Sequence, residues 1–100
     1  LDIGDWVMRS AIAKAAEWHR GPWPDVCIAV NVSPRQLLDG RFVARVAGLL
    51  RSHDLPSRCL EIELTESVLQ TGPTTVEALR QLRALGVSIA LDDFGTGYSS

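Results

Sequence analysis

Apolar residues recur at helical spacing in three segments of the chain, which predicts three amphipathic helices. The first covers residues 3–20, with Asp2 as its N-cap, and ends at Gly21 and Pro22. Its predicted apolar stripe is Ile3, Val7, Ala11, Ala15 and Trp18, with Met8 and Ile12 beside it. The second helix, over 41–53, uses Phe42, Val46, Leu49 and Leu50, and the third uses Val76, Leu79, Leu82 and Leu85, with Gly86 as its C-cap.

A shorter helical turn is expected between the first strand and the second helix. Ser33 is placed to cap it, a proline follows, and Gln36 completes a capping box.

Three apolar runs between the helices predict β-strands. They cover residues 25–31, 59–66 and 87–91, and turn residues separate them from the helices. Strands that alternate with helices at this spacing form βαβ units, in which neighbouring strands are parallel. The predicted fold class is therefore α/β, with three parallel strands alternating with helices.

Each predicted strand has one aliphatic face and one small or polar face, because side chains alternate along a strand. The aliphatic faces carry Val26, Ile28 and Val30, then Leu60, Ile62 and Leu64, then Ile89 and Leu91. The opposite faces carry Cys27, Ala29 and Asn31, then Cys59, Glu61, Glu63 and Thr65, then Ser88, Ala90 and Asp92. Helices cover the aliphatic faces, so the polar faces fit the lumen of a partial TIM-type (β/α) barrel.

Asn31, Glu63 and Asp92 share the polar face near the carboxyl ends of their strands, the rim at which barrel enzymes carry their active sites. An inward glutamate is costly without a cation or a partner, and the adjacent Asp92 and Asp93 resist ionising together. Oxygen donors without histidine or cysteine favour Mg²⁺ or Mn²⁺. The alternative for each carboxylate alone is that backbone amides or an arginine satisfy it.

Composition excludes several classes of protein. The chain has 100 residues, 46% of them hydrophobic, and a net charge of −2 from 10 basic and 12 acidic residues. This balance argues against binding to duplex nucleic acid, and no apolar run approaches the roughly 20 residues of a membrane span. The two cysteines, Cys27 and Cys59, have no metal-type spacing, and no signal peptide opens the chain, so a reducing cytoplasm is expected.

Three short motifs together resemble the EAL domain family, bacterial phosphodiesterases that cut cyclic di-GMP to linear pGpG. They are NVS at 31–33, ELTES at 63–67 and DDFGTGYSS at 92–100. The resemblance implies a two-metal site in a (β/α) barrel. In it Asn31, Glu63 and Asp92 bind one metal, Asp92 bridges to a second, and Asp93 helps to hold the second. Glu63, Asp92 and Asp93 are then the catalytic residues.

The resemblance also assigns roles outside the metal ligands. Glu66 belongs to the second motif, but alternation points it away from Glu63, so a supporting role is expected. The loop that couples dimerisation to metal binding in the family corresponds to Phe94, Gly95, Thr96, Gly97 and Tyr98. A homodimer formed through this loop is therefore expected, with cyclic di-GMP as the ligand.

The Glu-Ala-Leu signature of the family and its later catalytic lysine are absent from residues 1–100. The chain is therefore expected to be the N-terminal-to-middle part of one EAL domain, truncated at both ends and inactive alone, within a cytoplasmic parent enzyme whose membrane tether, if it has one, lies elsewhere. The alternatives are a catalytically inactive module that binds cyclic di-GMP or a protein partner, and another metal-dependent barrel enzyme.

Overall fold

Helices and parallel strands alternate in the computed structural model, which describes residues 3–92. The helices are α1 (Ile3–Arg20), α2 (Pro34–Leu38), α3 (Phe42–Ser52) and α4 (Pro73–Leu85). The strands are β1 (Ile28–Asn31), β2 (Leu60–Thr65) and β3 (Ser88–Asp92), and short 3₁₀ helices cover Ser57–Cys59 and Glu66–Gln70. The predicted α/β alternation is confirmed.

The three strands form one parallel sheet in the order β1-β2-β3. β1 is shorter than predicted, because the Val26 N–H donates to Trp23 O at 3.1 Å and so closes a turn. β2 likewise starts one residue late, because the Cys59 N–H bonds Pro56 O at 2.9 Å in a 3₁₀ turn. β3 continues through Asp92, one residue beyond its predicted end.

The aliphatic strand faces pack against the helices, as alternation predicts. Val30, Leu60, Ile62 and Leu64 are buried, and each is at most 4% exposed. On the opposite face, Ala29, Asn31 and Thr65 are exposed and Glu61 and Glu63 are half-buried. One side of the sheet therefore forms the core, and the other side stays open to receive polar groups.

The buried stripe of α1 differs from the predicted one. Met8, Ile12, Ala15 and Ala16 are its buried residues, whereas Ile3 is 74% exposed and Val7 is 39% exposed. The buried stripe is therefore rotated relative to the predicted one, and it includes the adjacent Ala15 and Ala16. In α4, Thr75, Ala78, Leu79 and Leu82 are buried, while the predicted core residues Val76 and Leu85 are exposed.

A capping box fixes the chain where it leaves β1, as the sequence predicts. The Ser33 N–H donates to Gln36 Oε1 at 3.0 Å, and the Gln36 N–H donates to Ser33 Oγ at 3.4 Å. The Val32 N–H donates to Glu63 O at 3.0 Å, which continues the β1–β2 pairing beyond Asn31. The carboxyl end of β1 is therefore held against β2.

Two carboxylates and one arginine join the amino end of α1 to the start of α3. Arg45 lies 3.0 Å from Asp5 and 3.5 Å from Asp39. The Arg41 N–H also donates to Asp39 Oδ1 at 2.9 Å. This hydrogen bond, with the charges of Arg45 and Arg41, lowers the pKa of Asp39 below its usual value.

None of the helices between Ile3 and Asp92 combines the length and apolar character that a bilayer span requires.

Candidate metal centre

Strand register brings the predicted rim residues onto one face of the sheet. Asn31 lies directly opposite Glu63, and Glu63 lies opposite Ala90. Asp92 lies two residues beyond Ala90, so it has the same orientation and stands one row further along. The structure thus places Asn31, Glu63 and Asp92 on a common surface at the carboxyl ends of adjacent strands.

The two carboxylates on this surface have no internal counter-charge in the part of the chain from Ile3 to Asp92. There, neither Glu63 nor Asp92 forms an ion pair or a side-chain hydrogen bond, although Glu63 is half-buried. The arginines that do pair with acids bind Asp5, Asp39 and Glu77 instead. The alternative in which an arginine or backbone amides satisfy these carboxylates is therefore not realised within this range.

The donor set suits a hard cation. It consists of two carboxylates and one amide oxygen, which are the ligands that Mg²⁺, Mn²⁺ and Ca²⁺ accept. Over residues 3–92, no three His, Cys, Asp or Glu side chains come close enough together to hold a metal ion. A cation on this surface would therefore depend on the Asn31 amide or on residues outside that range.

Several predicted site residues fall elsewhere. Asp93 and the loop residues Phe94, Gly95, Thr96, Gly97 and Tyr98 lie outside the described residues, so their roles remain predictions. Glu66 is exposed and begins the 3₁₀ helix after β2. Alternation along β2 ends at Thr65, so it does not determine the direction of Glu66.

A hydroxyl pair beside the carboxylates was not among the predicted site residues. Thr65 Oγ1 lies 2.7 Å from Ser67 Oγ, and Thr65 pairs in register with Asp92. The signal was present in the sequence, because alternation along β2 places Thr65 on the same face as Glu63. A threonine at a strand end has many structural uses, so the sequence alone does not indicate a role at the site. The strand register does, because it places Thr65 beside Asp92.

The amino end of the sheet carries the two cysteines and a histidine. Partial burial, the Glu61 charge and the nearby Cys59 together raise the pKa of Cys27, which keeps that thiol protonated. The buried Cys59 lies 3.9 Å, Sγ to Nδ1, from His19. His19 Nδ1 is 2.7 Å from Pro24 O, so its hydrogen bond goes to the loop that enters β1. These groups lie at the end of the sheet opposite the carboxylates.

Comparison with known proteins identifies relatives over the whole chain. The model of the EAL domain matches residues 1–100. A cyclic di-GMP phosphodiesterase of Pseudomonas aeruginosa is 40% identical over 99 residues, which cover 98% of this chain and 17% of that protein. The chain thus spans about a sixth of the length of this curated relative.

Solved structures share the fold. The EAL domain of Mycobacterium smegmatis DcpA has a TM-score of 0.85 and 41% identity, covering 97% of this chain and 44% of that chain. The phosphodiesterase PaMucR in complex with c-di-GMP has a TM-score of 0.81 with 39% identity, covering 98% of this chain and 42% of that chain. The calcium and cyclic di-GMP complex of Klebsiella pneumoniae BlrP1 is 27% identical with a TM-score of 0.73, covering 97% of this chain and 25% of that chain. The three parallel strands with their helices are therefore part of a TIM-type barrel.

Proposed function

The chain belongs to the EAL domain family, and on that basis we propose that it forms part of a metal-dependent phosphodiesterase that hydrolyses cyclic di-GMP to linear pGpG. The observation that carries the proposal is the common face of Asn31, Glu63 and Asp92, whose carboxylates have no counter-charge within residues 3–92. The phosphodiesterase name of one relative and the c-di-GMP in the PaMucR structure support the substrate.

Each residue on this face has a proposed task. By the family resemblance, Asn31, Glu63 and Asp92 would hold one Mg²⁺ or Mn²⁺ ion, and Asp92 and Asp93 would help to hold a second. When bound, the ions stabilise negative charge at phosphorus and lower the pKa of a bound water. The calcium complex of the Klebsiella protein supports a hard, oxygen-bound cation, because calcium shares that ligand preference.

The two carboxylates concentrate negative charge where the cation binds. Glu63 and Asp92 stand on adjacent strands and face the same side of the sheet. The Asn31 amide contributes an oxygen without adding charge, and the Val32–Glu63 backbone bond keeps it beside Glu63. The chain thereby orients its donors before the cation arrives.

Further features complete the proposal. Glu66 has a supporting role, and the loop residues Phe94, Gly95, Thr96, Gly97 and Tyr98 couple a homodimer interface to the second metal site. Residues 1–100 form the N-terminal-to-middle part of one barrel domain in a cytoplasmic enzyme. The chain covers 42–44% of the two solved EAL chains described above, which supports its being one part of a larger chain.

Substitution of the acidic ligands tests the proposal. Glu63→Gln and Asp92→Asn each remove one negative oxygen ligand with little change of shape, so we expect Mn²⁺ affinity to fall roughly tenfold or more. Electron paramagnetic resonance of free Mn²⁺ in titrations of the gene product that carries the chain measures this change. Hydrolysis of cyclic di-GMP by the gene product that carries the chain should fall in parallel.

Glu77→Gln is the matched control, because it removes the same charge from the exposed surface of α4, where Glu77 pairs with Arg80. Equal loss of affinity in the control, or a wild-type gene product that does not bind Mn²⁺, would overturn the metal site. If the gene product binds Mn²⁺ and cyclic di-GMP but forms no pGpG, the enzyme proposal fails and an inactive binding module takes its place.

A further inference from the structure

We propose that Thr65 and Ser67 are positioning residues that hold the Asp92 carboxylate in its metal-binding orientation, a role that rests on the metal site proposed above. Thr65 is the last residue of β2, and it pairs in register with Asp92, the last residue of β3. Both side chains therefore leave the sheet on the same face. Adjacent strands lie about 4.8 Å apart, so two short side chains in one row can share a hydrogen bond.

Ser67 fixes the hydroxyl of Thr65. Their oxygens are 2.7 Å apart, which is an ordinary distance between two hydroxyl groups. One hydroxyl donates in this bond, so the pair keeps one further hydrogen to donate. Among the residues from Ile3 to Asp92, the Thr65–Ser67 pair included, the Asp92 carboxylate has no hydrogen-bond or ion-pair partner, so in this proposal it accepts that remaining hydrogen once the cation is bound.

The 3₁₀ helix that contains Ser67 is held by a buried side chain and by hydrogen bonds to the residues that follow it. Val68, the next residue, is fully buried, and its carbonyl accepts from the Thr71 hydroxyl at 2.6 Å and from the Thr71 N–H at 3.2 Å. The Thr75 hydroxyl is also fully buried, and it lies 2.6 Å from that of Thr71. The 3₁₀ helix after β2 is therefore held by packing and hydrogen bonds, which keeps Ser67 in place beside Thr65.

A neutral hydroxyl suits this task. It donates to a carboxylate oxygen that faces away from the cation and adds no positive charge that would compete with it. Partners of this kind orient metal-binding carboxylates, and their loss typically lowers metal affinity by about 10- to 100-fold. A purely structural role, in which the two hydroxyls only end the strand, would alter stability and leave metal affinity unchanged.

Three variants of the gene product that carries the chain test the proposal. Thr65→Val keeps the shape and loses the hydroxyl, Thr65→Ser keeps the hydroxyl, and Ser67→Ala removes the group that orients it. We expect Mn²⁺ affinity, measured by electron paramagnetic resonance, to fall at least about tenfold in Thr65→Val and to stay near the wild-type value in Thr65→Ser. Ser67→Ala should lie between the two.

Urea unfolding of each variant accompanies the titrations, and Ser67→Ala carries the test if Thr65→Val does not fold. Wild-type Mn²⁺ affinity in folded Thr65→Val or Ser67→Ala would overturn the positioning role alone. Equal losses in Thr65→Val and Thr65→Ser would also overturn it, because the hydroxyl would then be irrelevant. A wild-type gene product that binds no Mn²⁺ would instead overturn the proposed metal site, and the positioning role with it.

Discussion

At the scale of single residues, two glycines have opposite structural requirements. Gly86 ends α4 with φ of +104°, and a Cβ there would lie 3.2 Å from Ser57 Cβ. Gly48 lies inside α3, with no atom within 4 Å of the position of an added Cβ. The first position therefore needs glycine for its backbone and its packing, and the second does not.

Alanine substitutions at these positions should change stability in opposite directions. Gly86→Ala should lower the free energy of unfolding by about 1–2 kcal/mol, because a residue with a Cβ is strained in the left-handed conformation. Gly48→Ala should raise it by roughly 0.5–1 kcal/mol, because alanine favours the helix. Urea denaturation of both variants measures the difference, and a shift of the same sign in both would contradict this account.

The sequence predicts which face a strand residue occupies, but not which residue it faces. Alternation is a property of the extended backbone, so Asn31, Glu63 and Asp92 could be assigned to one face without a structure. Register depends on how far each crossover helix shifts its strand, which no local pattern records. The pairing of Thr65 with Asp92, and with it the hydroxyl pair at the site, therefore became visible only in the fold.

At the scale of elements, the Asp39 carboxylate connects the segments around α2 and α3. It accepts from the Arg41 N–H and pairs with Arg45, which also binds Asp5 on α1. The lowered pKa of Asp39 means that the folded state favours the ionised form. Its contribution to stability is therefore fully present above the pKa of the unfolded chain and is lost as pH falls through the lower pKa of the folded chain.

Asp39→Asn should remove this pH dependence. We expect the wild-type chain to be more stable than the variant at neutral pH, and the difference to shrink as pH falls below about 4, the pKa of an unfolded aspartate. Urea unfolding from neutral to acid pH gives the comparison. Asp25→Asn, at an exposed position in the loop before β1, is the control. A difference that is independent of pH, or equal in the control, would contradict the assignment.

The presence of each helix could be predicted from the sequence, but the exact set of residues that each helix buries could not. The period of apolar residues locates a stripe, and several neighbouring stripes fit α1 almost equally well. The tertiary contacts of the helix decide which one is buried, and here it is the stripe that contains Ala15 and Ala16. The predicted start of the first strand was wrong for a similar reason, because the turn at Val26 draws on a hydrogen bond to Trp23 that alternation cannot reveal.

At the scale of the whole molecule, an open groove of about 1000 Å³ runs between α4 and β3. Leu69, Val76 and Leu91 line it and are 49%, 45% and 41% exposed. Apolar surface of this kind favours contact with other apolar surface in water. The isolated chain should therefore associate with itself as its concentration rises.

Lysine substitutions in the groove test this expectation. Leu69→Lys or Val76→Lys should each weaken association by roughly tenfold, because a charged side chain replaces an apolar contact. Leu38→Lys is the matched control, since Leu38 is 52% exposed on α2 and does not line the groove. Sedimentation velocity over a range of concentrations measures the effect, and an equal loss of association in the control would show that the groove is not the contact surface.

Asp92 lies two residues further along its strand than Ala90, the residue that pairs with Glu63. The height of Asp92 in a barrel depends on this offset and on the tilt of the strands. In an eight-stranded barrel with a shear of eight, positions of equal height along the barrel axis advance by about one residue from each strand to the next. Two strands on from Asn31, the level position is therefore about two residues beyond Ala90, which is Asp92. Asn31 and Asp92 thus stand at one height around the lumen, and Glu63 lies slightly below the plane between them. The apparent stagger of these three residues in the flat sheet becomes a nearly level ring once the sheet is curved.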